Sequence, residues 1–279
     1  MAPAELVQNS CLLVMGSEGR GEQILKTDQD NALLLRDDYQ CDGLADIVAR
    51  FSTELLGFGY PPCPGNIMVT NPLWCQPVSG FRDTIRHWLF DDDPDGAMNL
   101  AIFIDAHPVA GDATLLSIAR AHALNLAAGS DTFIARMAGA VNQFKEAGAG
   151  WWSRMTGRHG GAAETFDLKK FGTFPIVHGA RALALEHHLD ALSTAERLQA
   201  LAKQEFLSKE LARDLTETLH FMMTLKLRNN LRQIALGQPA SNLVTLAELS
   251  TLDRDLLKDS LAIIGQFRLH LQLHFQLRG

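Results

Sequence analysis

The 279-residue chain predicts an α+β fold, with strands and helices mixed over residues 1–128 and helices alone over 129–279. Three observations predict it. Apolar runs of strand length cluster in the first part, at Gln8–Met15, Asn31–Leu35 and Leu100–Ile104. Beyond Gly129-Ser130-Asp131 apolar residues recur at three- and four-residue steps, the period of a helix face. Charge divides at the same place: 7 Lys and Arg against 17 Asp and Glu before it, a net −10, and 18 against 15 after it, a net +3.

Taken in order, Gln8–Met15 reads as a buried strand that runs into Gly16-Ser17, and Thr27–Leu35 as a second strand that opens in an acidic cluster. Leu44, Ile47, Val48, Phe51, Leu55 and Phe58 share a helical period, so 44–58 predicts a helix. Three prolines and two glycines make 59–65 a loop. Ile67–Val69 reads as a short strand, Phe81–Phe90 as a helix ending at the acids Asp91–Asp95, and Leu100–Ile104 as a third strand with Asp105 at its end. Ala113–Ala128 is expected helical, and Ser130 or Asp131 is the expected cap of a helix over Thr132–Ala147. Gly148–Gly161 is glycine-rich and irregular. Helices follow at about Gly179–Leu189, Thr194–Gln204, Lys209–Leu236 and Asp253–Gln276, and their apolar stripes read as packed core.

Composition excludes several classes. Hydrophobic residues at 47% and charged residues at 20% describe a globular chain able to bury a core without disulfides or a structural metal. A net charge of −7 argues against a protein that grips duplex nucleic acid through its phosphates. No run approaches the length of a membrane span, and the early apolar run Cys11–Met15 is too short for a signal-peptide core. Cys11, Cys41, Cys63 and Cys75 lack C-x-x-C spacing and read as reduced thiols of a cytoplasmic protein, a zinc cluster being the minor alternative.

Chemistry concentrates in Gly16-Ser17-Glu18-Gly19-Arg20-Gly21-Glu22-Gln23 and in Thr27-Asp28-Gln29-Asp30-Asn31. A strand entering a glycine-rich turn can aim backbone N–H groups and the Ser17 hydroxyl at one anion. Residues two apart on a strand share a face, so Asp28 and Asp30 project together. Adjacent carboxylates repel unless a cation lies between them, and a hard oxygen-liganded ion such as Mg²⁺ suits them. Asp105 is a candidate third ligand. On these residues alone, a metal–phosphate site and a surface turn both remain open. The same Asp-x-Asp spacing at 91–95 and 253–255 is simply solvated or sits near a helix start. Arg20 either reaches a phosphate or is an exposed partner of Glu18 or Glu22.

The runs Gly16–Gln23 and Thr27–Asn31 resemble the signature of the DNA polymerase β-type nucleotidyltransferases, most closely the DUF294 branch, which is related to the nucleotidyltransferase domain of PII uridylyltransferase. Phe166–Lys170, Pro175–Val177, Ala180–Leu185, Thr194–Leu198 and Leu227-Arg228 resemble the substrate-binding helical domain of that branch. The resemblance implies a small mixed sheet with helices over 1–128, followed by an all-α bundle over 129–279. It implies transfer of a nucleoside monophosphate from an NTP to an acceptor hydroxyl, with release of pyrophosphate. Asp28, Asp30 and Asp105 would hold Mg²⁺, with Mn²⁺ as the substitute, and Asp105 would accept the hydroxyl proton. Gly16, Ser17, Arg20, Lys169 and Arg181 would bind the nucleotide. Arg197 and Arg228 recur in the same pattern. The competing reading of the basic residues is that Asp167–Lys169 and Glu196–Arg197 organise helix ends.

A protein acceptor, by kinship with PII uridylylation, leads. Transfer to a small molecule and nucleotide sensing without turnover are the alternatives. The histidines, including His187-His188, show no ligand spacing and read as surface or interface residues. No His-Asp dyad suggests the opposing hydrolase activity. The resemblance also implies a possible homo-oligomer and upstream CBS or cyclic-nucleotide-binding domains. The superfamily's usual helix before the first strand is scarcely accommodated by about eight residues, which reads as a fragment of a longer protein.

Overall fold

The computed structural model describes residues 2–26, 28–142 and 165–277. Thr27, His159, the stretch Gly148–Gly161 and the end of the helix expected over Thr132–Ala147 lie outside them. The chain divides into two compact units, Met1–Phe133 and Ile134–Gly279.

The first unit is built on a four-stranded mixed sheet in the order β3-β2-β1-β4. Its strands are β1 (Ser10–Val14), β2 (Asn31–Leu35), β3 (Cys75–Pro77) and β4 (His107–Gly111). β1 pairs antiparallel with β2 (Ser10 opposite Leu35, Val14 opposite Asn31) and antiparallel with β4, whereas β3 joins β2 in parallel. Every residue of β2 is buried, so both faces of the sheet are covered there. Leu33 and Leu35 share a face and pack with Val48, Ile47 and Phe51 of helix α3 (Leu44–Gly57). The alternate residues Ala32 and Leu34 turn the other way, where α4 (Val78–Phe90) and α6 (Ala113–Ala128) meet the sheet. Trp74, Phe81, Trp88 and Phe103 close that side, their ring centroids 4.7–6.1 Å apart. A short α1 (Ala4–Gln8) precedes β1, and α2 (Gly16–Gly19) is one helical turn at its end.

Three expectations are corrected here. Leu100–Ile104 is the second half of helix α5 (Gly96–Ile104), not a strand. An unbroken apolar run lacks the alternation that separates a buried strand from a buried helix, and Leu100, Ala101, Phe103 and Ile104 are all buried. The strand comes just after it, as β4, whose exposed edge residues gave no apolar signal. Ile67–Val69 forms no strand, because its backbone serves Asn31: Ile67 O accepts from Asn31 N at 3.1 Å, and Val69 N donates to Asn31 Oδ1 at 2.9 Å. The parallel edge is instead Cys75–Pro77. Finally, Asp28 and Asp30 precede β2 rather than lying within it.

The second unit is helical, as expected, and carries one short antiparallel pair, β5 (Thr165–Asp167) with β6 (Leu243–Thr245), that the sequence did not signal. Helix α7 (Asp131–Gly139) leads into it, with Phe133 N donating to Ser130 Oγ at 3.3 Å. Helix α8 (Phe174–Glu186) is buried at every position from Pro175 to Leu185, its two polar members His178 and Arg181 lying 3.2 Å apart. Helices α9 (Thr194–Lys203), α10 (Lys209–Ala235) and α11 (Thr251–His274) complete the bundle. Gly179 lets α11 approach α8: a Cβ there would lie 2.5 Å from Phe267 Cε1 and 2.6 Å from Leu271 Cδ1. Among the described residues no helix is long and apolar enough to cross a membrane, and all four cysteines are free thiols.

Candidate active site

The candidate residues of the first unit lie at the open end of the β1–β2 hairpin. Met15 N donates to Asp30 O at 2.9 Å, one step beyond the Val14–Asn31 pair. The ladder thus closes a loop whose start is Gly16-Ser17 and whose end is Asp28-Gln29-Asp30.

Within that loop Gln29 is the anchor. It is buried, its N–H reaches Pro61 O at 2.9 Å, and its Nε2 donates to Tyr60 O at 2.9 Å and Ser52 O at 3.1 Å. With Gln29 turned inward, its neighbours turn together to the opposite side. Carboxylate oxygens of Asp28 and Asp30 and the Cys63 Sγ converge within 4.8 Å of one another. The period-two argument therefore holds for an extended segment outside the strand itself.

Gly16 completes the floor. Its φ is +59°, a left-handed conformation that glycine adopts without strain, and a Cβ would stand 2.6 Å from Asp30 Oδ2. No side chain fits between this turn and that carboxylate. The first helical bond of the turn runs from Gly19 N to Met15 O at 3.0 Å, so the N–H groups of Ser17 and Glu18 lie ahead of it at its start.

The Cys63 thiol is pushed up from 9.0 to about 11, chiefly by burial and then by its hydrogen bond to Asp30. At neutral pH it is therefore a protonated donor to Asp30. Two carboxylates beside a neutral thiol form a donor set for a hard cation, and Gly16 brings no side chain against Asp30 Oδ2. The residues fit a divalent ion. Cys63 is a member of the group that sequence reasoning missed, since a lone cysteine more than thirty residues away carries no spacing signal. Gln29 and Asn31 were visible only as fillers of the motif.

Asp105 ends a helix rather than the strand expected before it. It caps the end of α5, is fully buried, and its Oδ2 takes Arg20 Nη1 at 2.6 Å. Arg20 has the Glu22 partner anticipated for it, its Nε donating to Glu22 Oε2 at 2.6 Å, but its side chain is only 10% exposed. Burial opposes the guanidinium's charge, but Asp105 and Glu22 outweigh it and hold its pKa above the ordinary arginine value. Gly19 permits this clasp, because a Cβ there would lie 2.2 Å from Asp105 O and 2.8 Å from Val14 O. Turn, strand end and Asp105 are thereby locked together.

In the second unit Asp167 Oδ1 accepts from the backbone N–H groups of Lys169 and Lys170, both at 2.9 Å, capping a wide helical turn over Leu168–Thr173. The Lys169 and Lys170 side chains are exposed. Arg181 is buried in α8 with Nη1 3.2 Å from His178 Nδ1. Arg197 is buried with Nε donating to Ala191 O at 2.8 Å, and Arg228 pairs with Asp253 at 2.5 Å.

Two family models match this chain. Residues 131–275 match the model described as "Putative nucleotidyltransferase substrate binding domain" (DUF294_C), which alone spans more than half of the sequence. The chain belongs to the DUF294 family. Residues 1–95 match its companion, the DUF294 nucleotidyltransferase model, so the hairpin loop lies inside the nucleotidyltransferase match. That match ends before Asp105. No curated protein matches the DUF294 chain.

Proposed function

We propose that this DUF294 chain transfers a nucleoside monophosphate from an NTP to an acceptor hydroxyl on a protein, releasing pyrophosphate. The convergence of Asp28 and Asp30 against the side-chain-free floor of Gly16 carries the reading. Family membership supports nucleotidyl transfer in general. The protein acceptor rests on the kinship with PII uridylylation alone.

In the reaction the acceptor oxygen forms a bond to the α-phosphorus as the bond to the pyrophosphate oxygen breaks, and the hydroxyl proton leaves with a base. Asp28 and Asp30 would hold Mg²⁺, which when bound would offset charge on the attacking and leaving oxygens. Gln29 fixes both carboxylates by tying the peptide between them to Ser52 and Tyr60. The Cys63 thiol donates to Asp30 and so biases its rotamer without adding charge. The Gly16–Gly19 turn offers N–H groups and the Ser17 hydroxyl to the β- and γ-phosphates. The ion pair of Arg20 with Asp105 holds that turn to the sheet, a positioning role.

Calorimetric titration of the four NTPs with Mg²⁺, using wild type beside Asp28→Ala/Asp30→Ala, tests this. Mg²⁺-dependent binding should vanish in the variant, and equal binding by both proteins refutes the assignment. Incubating lysate with labelled ATP or UTP then identifies the acceptor. A discrete labelled protein supports the proposal, and pyrophosphate release without one redirects it to a small molecule.

A further inference from the structure

The second unit holds a cluster that neither the family match nor the proposed reaction uses. Glu186 ends α8, His187 follows it, and His274 ends α11, 88 residues away from Glu186. Both imidazoles address the same carboxylate oxygen: His187 Nε2 lies 3.4 Å and His274 Nε2 2.7 Å from Glu186 Oε2. All three ligand atoms lie within 4.8 Å of one another.

We propose that Glu186, His187 and His274 bind a divalent transition ion of the Zn²⁺ class and so clip the last turn of α11 to the end of α8. Two imidazole nitrogens with one carboxylate oxygen form a donor set that favours such an ion over Mg²⁺. The spacing suits it. Ligands about 2.0–2.1 Å from a tetrahedral ion stand about 3.3 Å apart, and the two contacts to Glu186 straddle that value. The 2.7 Å contact is a hydrogen bond, and the ion takes the place of its proton as the two groups part by about half an ångström.

The ring of His187 is already held in place, stacked on Phe206 with centroids 3.4 Å apart and planes within 1°. Side-chain exposures of 17%, 29% and 36% for His187, Glu186 and His274 leave the point accessible from solvent and a fourth position open to water. The sequence hid the site because its ligands sit on two helices, and adjacent histidines alone have no ligand spacing.

The experiment uses the full chain carrying Asp28→Ala/Asp30→Ala, which removes the other such cluster among the described residues. After chelation, Zn²⁺ is titrated against a chromophoric competitor, and Co²⁺ is added as a spectroscopic probe. The expected result is one saturable Zn²⁺ equivalent at micromolar affinity or tighter and a Co²⁺ spectrum of tetrahedral intensity. His187→Ala should weaken binding at least tenfold, and so should His274→Gln. The glutamine keeps an N–H for Glu186, so far-UV circular dichroism and the metal-free Tm should stay as in the parent. Lack of a saturable equivalent, or binding unchanged by both replacements, overturns the proposal. Residual tight binding in the double histidine variant, where His188 and His270 remain, overturns it as well.

Discussion

Replacing Arg20 by Met keeps the bulk of the side chain and removes the guanidinium from two carboxylates. Asp105 is fully buried, and the Arg20 and Glu22 side chains are only 10% and 11% exposed, with both contacts at 2.6 Å. Removing one partner of a buried pair costs about 3–5 kcal/mol, because the remaining charge loses its compensation. The lower end applies here, since Glu22 can turn toward water. For a unit of this size that is a Tm drop on the order of 10 °C, read by calorimetry on the full chain. A buried carboxyl that loses a nearby cation has its pKa raised above its unfolded value. The penalty is then present above that raised pKa and fades as pH falls through it, so the gap between Arg20→Met and wild type should narrow from pH 8 to pH 5. Asp105→Asn in the Arg20→Met background should recover stability, with a coupling of at least about 1 kcal/mol. A deficit below about 1 kcal/mol, a gap that ignores pH, or strict additivity would refute the clasp.

Gly16→Ala should abolish Mg²⁺-dependent NTP binding, because its Cβ meets Asp30 Oδ2 at 2.6 Å, and left-handed strain adds about 1–2 kcal/mol of destabilisation; calorimetry and urea denaturation check the two effects separately. Cys63 should resist alkylation at pH 8 in the folded chain and react once unfolded, as tracked by mass spectrometry. Its raised pKa stabilises the fold fully below the unfolded thiol value, and that contribution is lost as pH rises from about 9 toward about 11. Gln29→Leu should leave both carboxylates in the chain yet weaken NTP binding, through loss of the tether to Ser52 and Tyr60; unchanged affinity would count against the anchor. Gly179→Ala should destabilise the second unit by about 1–3 kcal/mol through overpacking on Phe267 and Leu271 while NTP affinity holds.

The helical unit was largely legible because long amphipathic periods survive any packing arrangement. Leu211, Leu215, Leu219, Met222 and Leu225 lie along α10, and Leu257, Ile264, Phe267 and Leu271 of α11 are buried as their spacing requires. Short elements were not legible. Leu100–Ile104 is apolar whichever backbone it adopts, and in the fold it is helix, packed against α4 and α6. β4 and β3 lie at sheet edges, where composition need not be apolar. At the candidate site, pairing Asp28 with Asp30 was a local inference, and local spacing sufficed. Cys63, the Arg20–Asp105 clasp and the Glu186–His187–His274 cluster are made by contacts distant in sequence, which a period cannot report.

Because Met15 and Asp30 share a backbone bond at the mouth of the hairpin, the Gly16–Gly19 turn and the paired acids are the two ends of one covalent loop. They are not contributions from separately mobile elements. Their spacing is guarded by the central ladder of the sheet, and that amide can exchange with solvent deuterium only when the ladder opens. The Met15 amide is therefore a built-in gauge of site integrity, legible by hydrogen exchange before any nucleotide is added.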